Sequence, residues 1–336
     1  MSDSPRTWLP LSVVIPVKNG GQLFQQTVRH LRERLKDYDF EVVIVDSGST
    51  DGSLELVKAA GPAFQVHEIS PTEFGHGKTR NLAAQLATRE ILSFLTHDVL
   101  PCTRDWPEIF VKAFEDPTVA GVYGRQIPRN APSIEMYFVS LNYPPEPIRY
   151  RPGTGNPNPR PGRVLFSDAF SALRRDLLLA SPHPVDVRVS EDQLFARRML
   201  SEGYQILYEP RAEAFHAHRY TLKGLWHRTY PTAYALAEAG LANGATFRES
   251  VGFLLDEIKW FARHGHSHKL PWLLTYEFVR WASFQAGRYM GSRSTADRSR
   301  EKRPMTAELP DKTDPAADQI PPPPSSKTRD HLAQNT

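Results

Sequence analysis

Between residues 12 and 96 the chain alternates short β-branched runs with segments of helical spacing, and no other feature constrains its fold as much. Residues 12–17, 40–45, 64–69 and 90–96 read as strands. Between them Leu23, Val28, Leu31 and Leu35 recur at helical spacing. Leu54, Leu56 and Val57 make a short helix, and residues 80–88 place Leu82, Ala83 and Leu86 on a third. Strands that alternate with helices fold as βαβ units, so the expected class is α/β, a mostly parallel sheet with helices on both faces. Ligands of such sheets bind beyond the carboxyl ends of the strands. Asp46 follows Val42-Val43-Ile44-Val45, and Asp98 follows the run 91–95, so both carboxylates are expected at that edge.

Composition narrows the partners. Of 336 residues 40% are hydrophobic and 24% charged, which suits a globular protein. The formal charge of +3 is small and the signs are mixed, so a basic nucleic-acid stripe is excluded and no nucleic acid is expected as a partner. The single cysteine, Cys102, excludes an intrachain disulfide and fits a reducing compartment. No apolar run approaches the roughly 18–20 residues that span a bilayer. Residues 1–9 lack the apolar core of a signal peptide, so the expected location is cytoplasmic.

The second half is less regular. Residues 143–162 carry seven prolines, a density that predicts a long loop. Residues 191–200 read as a helix, and 205–208 and 212–215 as two short strands. Farther on, Val251, Leu254, Leu255, Ile258, Phe261 and Ala262 keep a helical period, as do Leu273, Leu274, Phe278 and Trp281. Trp226, Trp260, Trp272 and Trp281 are interleaved there with Lys, Arg and His. Most of that stripe is expected in a core, and the remainder is a surface suited to a membrane interface. Residues 292–336 hold no Phe, Trp or Tyr and seven prolines, too little apolar area to offset ordering entropy. The expected organisation is an arm at 1–9, a main domain at 10–220, a helical extension at 221–291 and a disordered tail at 292–336.

Four constellations can carry chemistry. The turn Asp46-Ser47-Gly48-Ser49-Thr50-Asp51-Gly52 either caps a helix or sets Asp46 against a base or ribose. The turn Gly75-His76-Gly77-Lys78-Thr79-Arg80-Asn81 opens a helix and can hold phosphate through N–H groups, Lys78 and Arg80, although it lacks the spacing of a P-loop. His216 and His218 share one face of a strand, as metal ligands or as a surface pair. Ser190-Glu191-Asp192-Gln193 precedes a helix. Its acids are either caps or catalytic carboxylates held at a helix N-terminus, where the dipole favours the charged form.

In this order, these pieces resemble the family-2 glycosyltransferases, inverting enzymes that use nucleotide-sugar donors. The matching stretches are Ser12-Val13-Val14-Ile15-Pro16-Val17-Lys18-Asn19, Val43 through Gly52, Thr79-Arg80-Asn81-Leu82-Ala83, Thr96-His97-Asp98 and Glu191-Asp192. The resemblance covers about residues 10–220 and implies a Rossmann-like nucleotide-diphospho-sugar transferase (GT-A) fold. It implies donor contacts at Pro16, Lys18, Asp46 and Ser49, at Lys78, Arg80 and Asn81, and at His97 and Asp98. It implies a general base at Asp192, with Glu191 beside it. It also implies a divalent metal on an Asp-x-Asp motif. Here Thr96 replaces the first Asp, so only Asp98 carries over, with His216 or His218 to complete the shell. Oxygen ligands suit Mg²⁺ or Mn²⁺, and an imidazole favours Mn²⁺ modestly. The forms Phe74-Gly75-His76-Gly77, Phe166 through Arg175 and His216 through Lys223 resemble the rhamnosyltransferase branch. The implied partners are a nucleotide-diphosphate sugar, a glycan or lipid-linked acceptor and the inner membrane face. Two rivals stay open: an inactive nucleotide- or sugar-binding protein on the same scaffold, and a nucleotidyltransferase.

Overall fold

The computed structural model describes residues 7–128, 133–153, 165–187, 189–216, 221–238 and 247–301. The first half is β1 (Thr7–Val17), α1 (Gly21–Arg34), β2 (Tyr38–Asp46), α2 (Ser53–Lys58), β3 (Phe64–Glu68), α3 (His76–Leu86), β4 (Ile91–Leu95) and β5 (Leu100–Pro101). Next come α4 (Trp106–Ala113), β6 (Val119–Ile127), α5 (Ser133–Asn142), β7 (Ile148–Tyr150), β8 (Phe170–Arg174) and α6 (Arg175–Ala180). α7 (Glu191–Ser201), β9 (Gln205–Phe215), α8 (Leu222–Glu238), α9 (Phe247–Arg263) and α10 (Leu270–Glu301) complete it.

The strands join one sheet in the order β3-β2-β1-β4-β8-β6-β9-β5, with β7 also on β9. β1, β2, β3 and β4 are parallel, as the alternation requires. The expectation of a mostly parallel sheet does not extend further. β8 is antiparallel to both β4 and β6, and β5 and β7 are antiparallel to β9, so the whole sheet is mixed. Its central strands β1, β2, β4, β6 and β8 are buried on both faces. Val13, Ile15, Val42 and Ile44 pack into one core with Phe24, Trp106 and Phe110. Their neighbours Val14, Val43 and Val45 pack into another with Ala83, Phe195 and Met199. The period-two alternation of a strand sends successive side chains to these two cores.

Two expectations are corrected by local physics. The proline-rich stretch admits β7, because residues 148–151 between Pro147 and Pro152 keep their N–H groups. The two short strands at 205–208 and 212–215 are one strand, β9. Its pairing with β6 jumps from Gly124↔Glu209 to Arg125↔Glu213, and Pro210 sits inside that irregularity.

In the last third Phe261, Leu273 and Tyr276 form a third core with Tyr137 and Leu225. α8 and α10 approach closely at Gly287 and Gly291, where a Cβ would meet the carbonyl oxygens of Tyr230 and Tyr234 at 2.3 and 2.4 Å. α10 is helical to Glu301, ten residues past Gly291, where the tail was expected to begin; residues 302–336 lie outside the described residues. Among the described residues no helix is long and apolar enough to cross a membrane.

Candidate active site

The strand order reverses at β1, which has β2 on one side and β4 on the other. Crevices open at such reversals, beyond the carboxyl ends of the strands. Here the β1–β4 ladder stops at Val14↔Phe94, whereas β1 stays on β2 through Pro16↔Val45 and Val17↔Asp46. Pro16 has no N–H to offer β4, so the two strands part at that point.

Asp46 stands at this edge, buried. Its Oδ1 accepts from the backbone N–H groups of Gly48 and Ser49, both at 2.9 Å, and its Oδ2 is buried with no hydrogen-bond partner. An orphaned buried carboxylate oxygen is costly unless a ligand donor reaches it. The adjoining loops are tied to each other. Asn19 N–H donates to Ser49 Oγ at 2.9 Å, and Thr50 N–H donates to Asn19 Oδ1 at 2.8 Å. Ser49 thus has a loop-holding contact at the position expected to touch donor. Lys18 is exposed on the same rim.

The turn at 96–99 places the second acid. Thr96 N–H donates to Ala169 O at 3.2 Å, and Val99 N–H returns to Thr96 O at 3.0 Å. Leu100 then pairs with Phe215, which brings Asp98 Oδ2 to 3.7 Å from His216 Nε2. His216 Nδ1 lies 2.6 Å from Gln126 Oε1. The amide oxygen accepts from an Nδ1–H, which leaves Nε2 directed at Asp98, the geometry a metal-ligating imidazole requires. Asp98 and His216 therefore fit a hard divalent cation as a two-residue oxygen and nitrogen donor set, to be completed by ligand oxygens. Among the described residues no group of three protein ligands assembles. The buried Thr96 hydroxyl has no hydrogen-bond partner in the position of the expected first acid, His97 beside it is half-buried, and His218 lies outside the described residues.

The third group is a buried charge network that only folding reveals. Arg80 Nη1 donates to Glu191 Oε1 at 2.7 Å, and its Nε lies 3.5 Å from Asp168 Oδ2. His183 Nε2 lies 3.1 Å from the same Asp168 oxygen, and Ser171 Oγ donates to Asp168 Oδ1 at 2.9 Å. Burial would raise the Asp168 carboxyl, but His183 and Arg80 outweigh it and hold it below the usual range. Asp192 Oδ2 accepts from Asp168 N–H at 3.2 Å. Its carboxyl is pushed up to about 8, first by lost hydration, then by the charges of Glu191 and Asp168. The helix N-terminus was expected to keep Asp192 ionised; desolvation and two carboxylate neighbours outweigh that dipole. Ser190, the residue before the pair, makes no side-chain cap and sits at φ 72°, a left-handed conformation unusual for a residue with a Cβ.

The basic turn is redirected as well. α3 begins at His76, so Arg80 projects from inside the helix into the carboxylates rather than from an open loop. Asn81 does not face open space. Its Nδ2 donates to His183 O and its Oδ1 accepts from His183 N–H, both at 2.9 Å. Gly77 is needed for close approach, since a Cβ there would meet Pro184 O at 2.5 Å. The first turn of α3 has no side-chain cap, and Lys78 is exposed beside it. Asp168, His183 and Gln126 were not singled out from sequence; the only signal was that Asp168 falls within the stretch 166–175.

The model for glycosyl transferase family 2 matches residues 12–179, half of the chain. The chain belongs to this family. The O-antigen chain rhamnosyltransferase RfbN of Salmonella typhimurium is 26% identical over 294 residues, 84% of this chain and 91% of the relative. WbaN of Salmonella anatum, of the same description, is 28% identical over 291 residues, 84% and 90%. A solved mannosyltransferase of Pyrobaculum calidifontis, in complex with GDP-Man and Mn²⁺, matches with a TM-score of 0.55 over 88% of both chains at 20% identity, which shows a shared GT-A fold. As a family-2 glycosyltransferase the chain is a nucleotide-sugar enzyme.

Proposed function

We propose that this glycosyltransferase moves a sugar, rhamnose in our reading, from a nucleoside-diphosphate donor to a hydroxyl of a glycan or lipid-linked acceptor, with inversion at the anomeric carbon. The unequal carboxylate pair at the start of α7 carries the reading. Glu191 is held by Arg80, and Asp192 is left with a carboxyl near 8. A general base works best with a pKa near the working pH, which favours Asp192 over Glu191.

In the transfer, the acceptor oxygen bonds to the anomeric carbon as the bond from that carbon to the diphosphate breaks. Asp192 takes the hydroxyl proton, and the bonding pair leaves with the nucleoside diphosphate. Arg80 offsets part of the charge of Glu191 and Asp168 beside the base. Asp46 Oδ2 accepts from the nucleobase or the ribose, and the uncapped first turn of α3 with Lys78 faces the diphosphate. Mg²⁺ or Mn²⁺ on Asp98 and His216 would offset the charge gathered on the leaving diphosphate.

The rhamnose assignment is supported by the two Salmonella relatives, which match along 84% of this chain. Their description also supports an O-antigen-type acceptor. Contact with a membrane face is supported by α10, where Leu274, Phe278 and Trp281 share one helical face and are 48%, 65% and 44% exposed.

Calorimetry with UDP, GDP, dTDP and CDP, with and without Mn²⁺, tests the donor. One base is expected to bind selectively. Asp46→Ala is expected to weaken it by about 10–100-fold, the equivalent of a charge-assisted hydrogen bond of ~1.5–3 kcal/mol. Absence of binding by all four would contradict the proposal.

A further inference from the structure

A cavity lies between the loop before α7 and helix α8. It has a volume of ≈ 180 Å³ and is walled by Asp186 and Val187 on one side and by Tyr230, Tyr234 and Glu238 of α8 on the other. The size is well under the roughly 300–1,000 Å³ of pockets that hold drug-sized ligands, so it suits one ring rather than a nucleotide sugar. Its wall is part of an aromatic ladder. Trp226 stacks on Tyr230 at 6.5 Å between centroids and 12° between planes, and Tyr230 stacks on Tyr234 at 6.4 Å and 27°. Trp226 at its start is 40% exposed. The ladder's backbone is fixed from behind, because Gly287 and Gly291 bring α10 against the carbonyls of Tyr230 and Tyr234.

The chemistry of the wall selects a ligand class. An aromatic face carries negative quadrupole charge and attracts the weakly positive C–H face of a pyranose. The carboxylates of Asp186 and Glu238 accept from hydroxyls. Glu238 already takes the Ser294 hydroxyl at 2.9 Å, and a carboxylate offers about four lone-pair positions. Among the described residues the wall holds two carboxylates and no Lys or Arg, which favours a neutral polyol over a diphosphate or an anionic lipid headgroup.

The cavity is connected to the catalytic pair through the chain. Asp186 and Val187 stand between His183, which is buried on Asp168, and Ser190, which opens α7 with Glu191 and Asp192. At the other end Arg228, midway along the Trp226–Tyr230 step, acts electrostatically on Tyr143. The buried Tyr143 hydroxyl is raised mainly by burial, and also feels Asp192 and Arg228 in opposite directions.

We propose that this cavity and the Trp226–Tyr230–Tyr234 ladder form a subsite for a neutral saccharide unit of the acceptor glycan, behind the hydroxyl that attacks. The assignment to an acceptor rests on the glycosyltransferase reading above; the saccharide site itself does not.

Saturation-transfer NMR on the full chain tests it, with the methyl α-glycosides of rhamnose, mannose, galactose and glucose as probes. At least one is expected to receive saturation, strongest at its ring C–H protons. The signal should persist under saturating UDP, GDP, dTDP or CDP. It should be lost in Tyr234→Ala and weakened in Asp186→Ala, whose exposed side chain is removed without disturbing the core. No signal from any glycoside, a signal displaced by a nucleoside diphosphate, or a signal unchanged in Asp186→Ala would each overturn the subsite. Should no nucleotide bind at all, the donor reading fails while the glycoside result still stands or falls by itself.

Discussion

Asp192 is where single-residue physics matters most. An aspartate ordinarily loses its proton near 3.9, and the fold moves this one to about 8. Two consequences follow with fixed signs. Between those two pH values the folded state holds a proton that the unfolded chain has released, so stability drops as pH rises across that window. Asp192→Asn removes this dependence, so thermal melts should show the variant gaining on the parent from pH 5 to pH 8. A base must be ionised, so kcat/KM of the parent should climb with pH up to about 8 and then level. A flat profile over that range would place the limiting proton elsewhere. Asp46 and Asp98 were legible from sequence because a polar residue that ends an apolar run marks the sheet edge. Asp168 and His183 were not. Their roles depend on Arg80, more than eighty residues earlier in the chain, and no local pattern encodes that meeting.

At the scale of elements, β1 through β4 follow from the sequence because each strand is a short β-branched or apolar-rich run bounded by turn residues. β5, β6, β7 and β8 were missed, β6 because Gly121 and Gly124 interrupt its apolar run and the others for different reasons. β5 is two residues long, β7 is an edge strand among prolines, and β8 is antiparallel in a chain whose first half reads as βαβ. The junction of α3 with the loop before α7 holds the site together, through Asn81 on the His183 backbone and Gly77 against Pro184. Gly77→Ala forces a methyl group to within 2.5 Å of Pro184 O. A cost of ~1–3 kcal/mol is expected, as for overpacking elsewhere. Because the clash displaces the segment that precedes Asp192, turnover should fall along with the melting temperature. Equal melting of Gly77→Ala and parent would show that the loop gives way freely.

For the molecule as a whole, the question is where its acceptor comes from. The helical third exposes Leu255 on α9 and Trp272, Leu274, Phe278, Trp281, Tyr289 and Met290 on α10, with Lys259, Arg263 and Arg288 on the same helices. Amphipathic aromatic residues among cations suit an anionic interface, and that attraction is screened by salt. Co-sedimentation with phosphatidylglycerol-containing liposomes at low salt is expected, and it should weaken with added salt and with Phe278→Ser/Trp281→Ser. Failure of the parent to sediment would leave the acceptor to be taken from solution.

The central claim is that Asp192 removes the acceptor proton. The most direct measurement is the single-turnover transfer rate of Asp192→Asn with donor saturating, beside calorimetric donor affinity. Loss of a helix cap costs on the order of 1 kcal/mol of stability and little rate. Loss of a general base costs roughly 10²–10⁴ in rate. The expected result is parental donor affinity with transfer slowed at least ~100-fold. Transfer at the parental rate would contradict the account, reduce Asp192 to a structural residue and return the role of base to Glu191.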